Sequence, residues 1–130
     1  MNAEPLQFHN VTRGTTLADQ AKRADNPWTR FVGLLGRKGL GQGEGLHIVP
    51  CTSVHTWFMR FTIDVLYVDR EGTVVKAVQR MKPFRYSWGG RRAHSVVELP
   101  AGTIAATGTA VGDRLTLHAA PPAPTAAITS

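Results

Sequence analysis

The chain has 130 residues, of which 42% are hydrophobic and 18% are charged, with 13 glycines, 8 prolines and a single cysteine. This length and composition are those of one globular domain, and the many glycines and prolines favour a turn-rich β fold over a helical bundle. One cysteine excludes an internal disulfide, and the net charge of +6 is compatible with an acidic partner without requiring one.

The sequence shows no secretory signal and no membrane span. Residues 1–10 contain no apolar segment, and no run approaches the roughly 18 apolar residues that a spanning helix needs. We therefore expect a cytoplasmic protein without membrane association, with one globular domain over residues 1–118. Residues 119–130 are rich in Pro and Ala, have no periodic pattern and are expected to be disordered.

The N-terminal part predicts strands and one helix. Residues 6–19 are interpreted as two short strands around a turn, and a capped helix that starts at Thr16 is the alternative. An Asn-Pro pair then predicts a helix from Pro27 to Leu35, because Asn is a good N-cap and Pro suits the first helical turn. A glycine-rich connection over residues 39–45 leads into a strand over residues 46–49.

The longest apolar and aromatic run covers residues 54–69. It is predicted to form two strands with a corner near residues 62 and 63. In the first strand, alternation places His55 and Trp57 on one face and Phe58 on the other. Because both faces carry large apolar side chains, both are expected to be covered.

The segment after this corner predicts a β-hairpin. A strand over residues 64–69 turns at the Asp-Arg-Glu-Gly sequence of residues 69–72 and returns over residues 73–80. A four-residue connection that ends in glycine suits a type I turn closed by a residue at positive φ.

The remaining chain predicts a loop, two strands and one helical turn. Residues 81–94 form a long basic and aromatic loop, and residues 95–99 form a strand. Residues 102–108 can hold one helical turn before a last strand over residues 114–118. The predicted fold is mostly β, a small antiparallel β barrel or sandwich with one short helix packed on it.

Several motifs, in this order, resemble one family. They are GLLGR at residues 33–37, EGL at 44–46, VHTWFMRFTIDVLYVD at 54–69, G-x-V-V at 72–75, Lys82-Pro83, VELPAG at 97–102 and GD at 112–113. Over residues 16–117 the chain is similar to the uncharacterised family called domain of unknown function 192. The resemblance implies a compact, mostly β fold with a short helix, and it brings no established activity, substrate or cofactor.

His55 and Asp64 are candidates for an imidazole–carboxylate pair. A carboxylate that accepts from one ring nitrogen fixes the tautomer and makes the other nitrogen a better base or ligand. In the alternative, which we favour, His55 tethers a neighbouring loop, and Asp64 caps the corner by accepting from backbone amides.

Arg37 and Glu98 are further candidates for ligand contacts. Arg37 ends the predicted helix, where the helix dipole stabilises a cation, and its guanidinium can also hold an anionic group. Glu98 lies in a predicted strand and is interpreted either as a solvated residue or as the partner of an arginine. No metal or cofactor is predicted, because the histidines lack ligand spacing such as H-x-x-x-H.

The loop over residues 81–94 interleaves aromatic and basic side chains. Single-stranded nucleic acid sites stack bases on aromatic rings and neutralise phosphates with cations, which makes this loop a candidate for such a site. In the alternative, which we favour, the rings fold back over the barrel end and the charges stay in water. The candidate contacts are Arg85, Tyr86, Trp88, Arg91 and Arg92.

The leading functional hypothesis is a binding module that holds a small anionic ligand or a protein segment in a polar cleft at the barrel mouth. A hydrolase with His55 as general base is the second hypothesis, and single-stranded nucleic acid binding is the third. Binding leads because the sequence contains no complete set of nucleophile, base and orienting group. The candidate ligand-binding residues are Arg37, His55, Trp57, Asp64 and Glu98.

Overall fold

The computed structural model describes residues 6–24, 39–57 and 59–119, and within them the protein is mostly β, with nine strands and one short helix. The predicted helix from Pro27 to Leu35 lies outside the described residues, as do Arg37, Phe58 and the tail after residue 119. The elements are β1 (Leu6–Asn10), β2 (Thr15–Ala24), β3 (Glu44–Ile48), β4 (Ser53–His55), β5 (Ile63–Val68), β6 (Val74–Met81), β7 (Tyr86–Trp88), β8 (Ser95–Pro100), α1 (Thr103–Thr107) and β9 (Leu115–Ala119).

Seven strands form one curled sheet in the order β6-β5-β8-β3-β2-β1-β9, and β4 pairs with β7 in a small second sheet. Neighbouring strands are antiparallel except β2 and β3, which run parallel. The two edges of the large sheet meet where Thr73 bridges Arg114 and the amide of Leu115 donates to the carbonyl of Gly72 at 2.8 Å. The sheet is therefore curled into a half-barrel, and the contact between its two edges covers part of the edge strands β6 and β9.

The β5–β6 hairpin forms as predicted. Oδ1 of Asp69 accepts from the amides of Glu71 and Thr73, each at 2.9 Å, and so closes the turn. Gly72 has a φ of 91°, and a Cβ at this position would lie 2.8 Å from the carbonyl oxygen of Leu115. The turn therefore requires glycine both for its backbone angle and for the close approach of β9.

Both faces of the large sheet are covered at its central strands β5, β8 and β3. Inside the curl, side chains from six strands and α1 form one apolar cluster, in which Phe8, Leu66 and Leu99 are fully buried. The opposite faces of β5 and β8 contribute Val65 and Val96 to an outer cluster, which the small β4–β7 sheet helps to cover. All six residues of β5 are consequently buried, as in a strand with no wet face.

Two of the sequence-based alternatives are decided by these elements. The capped helix proposed to start at Thr16 is wrong, because this residue lies in β2. The single helical turn predicted within residues 102–108 is confirmed as α1. Among the helices that the structure describes, none is long and apolar enough to cross a membrane.

The first strand of the central run is much shorter than predicted. β4 ends at His55, and in the described residues no further strand begins before Ile63. Thr56 instead binds the neighbouring loop: its hydroxyl donates to the carbonyl of Lys82 at 2.6 Å and accepts from the amide of Arg85 at 2.8 Å. The predicted strand therefore ends at His55, although His55 and Trp57 are both exposed while Val54 and Thr56 are buried, as the predicted alternation requires. Conversely, the predicted loop contains β7, which is too short to show a periodic pattern.

Candidate functional site

Asp64 is fully buried and serves as a structural cap. Its Oδ2 accepts from the amides of Gly102 and Ile104 at 3.1 and 2.8 Å, and its Oδ1 accepts from the amide of Arg80 at 2.9 Å. The carboxylate thus holds the start of α1 and a residue of β6 whose φ is 53°. Within the described part of the chain these three amides are its hydrogen-bond partners, so the favoured interpretation of Asp64 as a cap agrees with the structure and the candidate pair with His55 is not formed.

His55 and Trp57 lie together at the surface. Both are exposed, their ring centroids are 6.4 Å apart, and Trp57 in turn lies 6.2 Å from Phe84. A hydrolase that used His55 as base would need a group to orient the imidazole. Among the described residues, no carboxylate is hydrogen-bonded to His55, so the orienting partner that a general base would use is not seen there.

Glu98 is buried in the outer apolar cluster, with a relative exposure of 6%. In the sheet it lies between Leu46 of β3 and Val65 of β5. Burial raises the pKa of this carboxyl to about 7. The sequence-based interpretation of Glu98 as a solvated residue is wrong, because the side chain is buried. The other interpretation, an arginine partner, is not seen in the described part of the chain, where no residue donates a hydrogen bond to Glu98.

The half-barrel contains a polar cavity of about 340 Å³, which we call the mouth pocket. It lies inside the curl, at the end where β2, β3 and β5 finish. A second cavity of about 270 Å³ adjoins it and is lined in part by Arg91 and Arg92. The mouth pocket is lined by polar and apolar side chains that include Arg23, His47, Val68, Arg70, His94 and Leu115.

His47 and Ser95 are the buried polar side chains among the residues that line the mouth pocket, and His47 is the titratable one. It is 6% exposed, and within the described structure neither ring nitrogen has a hydrogen-bond partner. Side chains alternate along β3, so Leu46 and Ile48 face the outer cluster and His47 faces the inside of the curl. There the ring of His47 lies edge-on to the ring of Phe8, with ring centroids 6.0 Å apart. A neutral imidazole therefore faces the cavity with one free donor and one free acceptor.

The charged groups that shift the pKa of His47 are cationic. Its pKa is lowered to about 4, first by burial and then by repulsion from Arg23 and His94. Asp69 and Glu71 also line the pocket and balance the formal charges of Arg23 and Arg70, so the positive potential is local to the ring of His47. A positive potential at a buried hydrogen-bonding group favours an anionic ligand over a cationic one.

The sequence did not identify His47 or Arg23 as ligand-binding residues. The available signal was a histidine between two apolar residues in a short strand, which alternation places on the face opposite to them. The cavity itself depends on contacts between strands far apart in sequence. Within the described residues, no group of three or more His, Cys, Asp and Glu side chains could hold a metal ion.

Comparisons with known proteins identify relatives at the level of sequence. The chain matches the family model of domain of unknown function 192, described as "Uncharacterized ACR", over residues 9–117. It is 37% identical over 111 residues to a UPF0127 protein of Pyrococcus furiosus, covering 82% of this chain and 93% of that protein. A UPF0127 protein of Thermococcus sibiricus is 29% identical over 111 residues, covering 82% of this chain and 71% of that protein.

Two solved structures share the architecture. A protein of unknown function from Novosphingobium aromaticivorans has a TM-score of 0.74 at 18% identity, covering 86% of this chain and 83% of that chain. A candidate transcription regulator from Sinorhizobium meliloti has a TM-score of 0.75 at 23% identity, covering 88% of this chain and 92% of that chain. At these identities the likeness concerns the fold alone.

Proposed function

The chain belongs to the family of domain of unknown function 192, and within this fold we propose that it is a binding module for a small anion held in the mouth pocket. Arg23 and Arg70 supply positive charge at the pocket wall, and His47 supplies a hydrogen bond at its buried end. The binding role is the one expected from the sequence, but the proposed contacts are Arg23, Arg70 and His47 instead of the candidates selected from the sequence.

The observation that carries this proposal is the unpartnered imidazole of His47. Leaving a buried polar group without a hydrogen bond costs about 1–3 kcal/mol. An apolar residue in this place, beside Phe8 and Leu115, would avoid that cost. A ligand that forms a hydrogen bond with a ring nitrogen of His47 removes this cost. The pocket is therefore more stable when it is occupied than when it is empty.

The charge of the ligand is inferred from the residues that line the pocket, and its size from the volume of the pocket. In the described part of the chain, the one ion pair joins Arg13 and Asp113, so the guanidinium of Arg23 is not paired with a carboxylate there. The volume of about 340 Å³ is at the lower end of the range for small-molecule sites. A compact phosphate-, sulfate- or carboxylate-bearing molecule fits these two properties.

Isothermal titration calorimetry with sulfate tests the proposal. Sulfate keeps its charge across the neutral pH range, so heat effects from its own protonation do not interfere. Arg23→Gln removes a charge-assisted hydrogen bond and is expected to weaken sulfate binding by about tenfold to a hundredfold. The matched control is Lys22→Gln, because Lys22 is an exposed cation on the same strand that does not line the pocket.

Lys22→Gln should bind sulfate like the wild type. Equal weakening by the two substitutions would mean that sulfate responds only to the overall charge. Absence of sulfate binding to the wild type at millimolar concentration, together with absence of phosphate and acetate binding, contradicts the proposal.

A further inference from the structure

Four large aromatic side chains are exposed on the small β4–β7 sheet and the turns beside it. The rings of Trp57, Phe84, Tyr86 and Trp88 are between 44% and 63% exposed, and we call the face that carries them the aromatic surface. In the rest of the described chain, only two valines are large apolar residues of comparable exposure. Rings of this size are normally buried, and a cluster left in water marks an interaction surface.

The pairing of β4 with β7 places these rings on one face. Ser53 pairs with Trp88, and His55 pairs with Tyr86, so these four side chains point the same way. Val54 and Ser87, which pair with each other, face inward, and Val54 is part of the outer core cluster. Trp57 continues the row beside His55, and Phe84 lies next to Trp57.

The backbone under the aromatic surface is fixed to the half-barrel. The hydroxyl of Tyr67 donates to the carbonyl of Ser87 at 2.9 Å, and Nζ of Lys76 donates to the carbonyl of Trp88 at 2.8 Å. Gly89 passes so close to Tyr67 that a Cβ there would clash with the ring. The sequence-based alternative, in which the rings fold back over the barrel end, is therefore wrong for the described rings: they project from an anchored sheet into solvent.

The charged side chains of the two segments that form the aromatic surface are all positive. The two segments that form it, residues 51–62 and 82–94, contain no Asp or Glu. Arg60, Lys82 and Arg85 of these segments are exposed, and within the described structure the guanidinium of Arg85 donates hydrogen bonds to the carbonyls of residues 83 and 84. Cations without acidic partners beside exposed rings are complementary to a ligand that carries both flat bases and negative charges.

We infer that the aromatic surface binds single-stranded nucleic acid, with bases stacked on its rings and phosphates held by Arg60, Lys82 and Arg85. A single strand is favoured over a duplex because only unpaired bases present their faces to the protein. Four rings can stack about four bases, which is the lower end of the site sizes of OB folds. This inference goes beyond the proposed anion site and uses none of its residues.

Fluorescence anisotropy with labelled oligothymidine and oligouridine of about 12 nucleotides tests the inference, and the two probes distinguish DNA from RNA as the preferred strand. The wild type should bind at least one of them at low salt, and its affinity should fall as salt rises. Replacing Tyr86 and Trp88 together with Ala should weaken binding by about tenfold or more. The matched control replaces the exposed Val11 and Val111 with Ala and should change nothing.

Arg85→Gln provides a second, independent readout. Loss of one phosphate contact should reduce the slope of log affinity against log salt by about 0.7 while leaving the rings in place. Arg23→Gln should bind the oligonucleotides like the wild type, so that failure of the anion site and failure of this inference can be told apart. Absence of binding to both probes at low salt overturns the inference, as does equal binding of duplex DNA or displacement by polyglutamate at equal charge concentration.

Discussion

Glu98 and His47 are buried, and burial moves their pKa values in opposite directions, to about 7 and about 4. In both residues the folded protein favours the neutral form, because the charged form loses its hydration. The raised pKa of Glu98 means that its contribution to stability is complete below its usual pKa of 4.5 and is lost as the pH rises through 7. The lowered pKa of His47 means that its contribution is complete above 6.5 and is lost as the pH falls through 4.

Glu98→Gln is expected to stabilise the protein at high pH. Gln has nearly the same shape as the protonated carboxyl and cannot ionise, so the free energy of unfolding at pH 8 should rise by on the order of 3 kcal/mol relative to the wild type. At pH 4 the two proteins should be about equally stable. Urea unfolding at both pH values measures this difference.

The control for this prediction is Glu71→Gln, because Glu71 is an exposed residue of the β5–β6 turn. Its effect should stay within about 0.5 kcal/mol at both pH values. An equal gain for Glu98→Gln at pH 4 and pH 8 would show that charge burial is not the cause.

At the scale of elements, α1 depends on Asp64. A helix of five residues is far too short to be stable alone, and the side chain that caps its first amides comes from β5. Since Asp64 accepts through both oxygens, Asp64→Asn turns one acceptor into a donor that faces an amide. We expect a loss of about 2–3 kcal/mol in the free energy of unfolding.

Asp69→Asn is the matched control for Asp64→Asn. Asp69 accepts both of its amides through the same oxygen, so an Asn side chain can keep both bonds, and the loss should stay below about 1 kcal/mol. Urea unfolding of the two variants measures the difference. Equal losses would mean that the cap of α1 contributes no more than an ordinary turn carboxylate.

The β5–β6 hairpin could be predicted from the sequence because its signals are local. Asp69 and Gly72 determine the turn within four residues, and the flanking apolar runs determine the strands. β4 was predicted as a longer strand and β7 as part of a loop, because three-residue strands show no period and their pairing depends on the bonds that Thr56 makes with residues 82–85. The parallel pairing of β2 with β3 joins segments that are far apart in the sequence, and the strand propensity of each segment does not predict it.

The candidate site was harder to predict than the fold. Asp64 was correctly recognised as a possible cap, since Asp accepts backbone amides in many turns. His47 and Arg23 meet only because β2 and β3 lie side by side and finish at the same end of the half-barrel. Alternation gives the face on which His47 lies, but no property of the sequence indicates that this face ends in a cavity.

At the scale of the whole molecule, the two proposed sites occupy different faces of the sheet. The mouth pocket lies inside the curl, where His47 and Val68 face the inner core. The aromatic surface lies on the small sheet that covers the outer core through Val54. Because the sites share no residues, sulfate in the pocket and a single strand on the aromatic surface should bind independently.

The most direct test of the anion site is an NMR pH titration of the His47 ring with and without saturating sulfate. Without ligand, burial and the neighbouring Arg23 and His94 hold the pKa of His47 at about 4. An anion beside the imidazole favours the charged form, so sulfate should raise the pKa of His47 by about one unit or more. The ring of His9 on β1, which does not line the pocket, should show no response. An unchanged His47 titration at saturating sulfate, or an equal response of His9, would contradict the account.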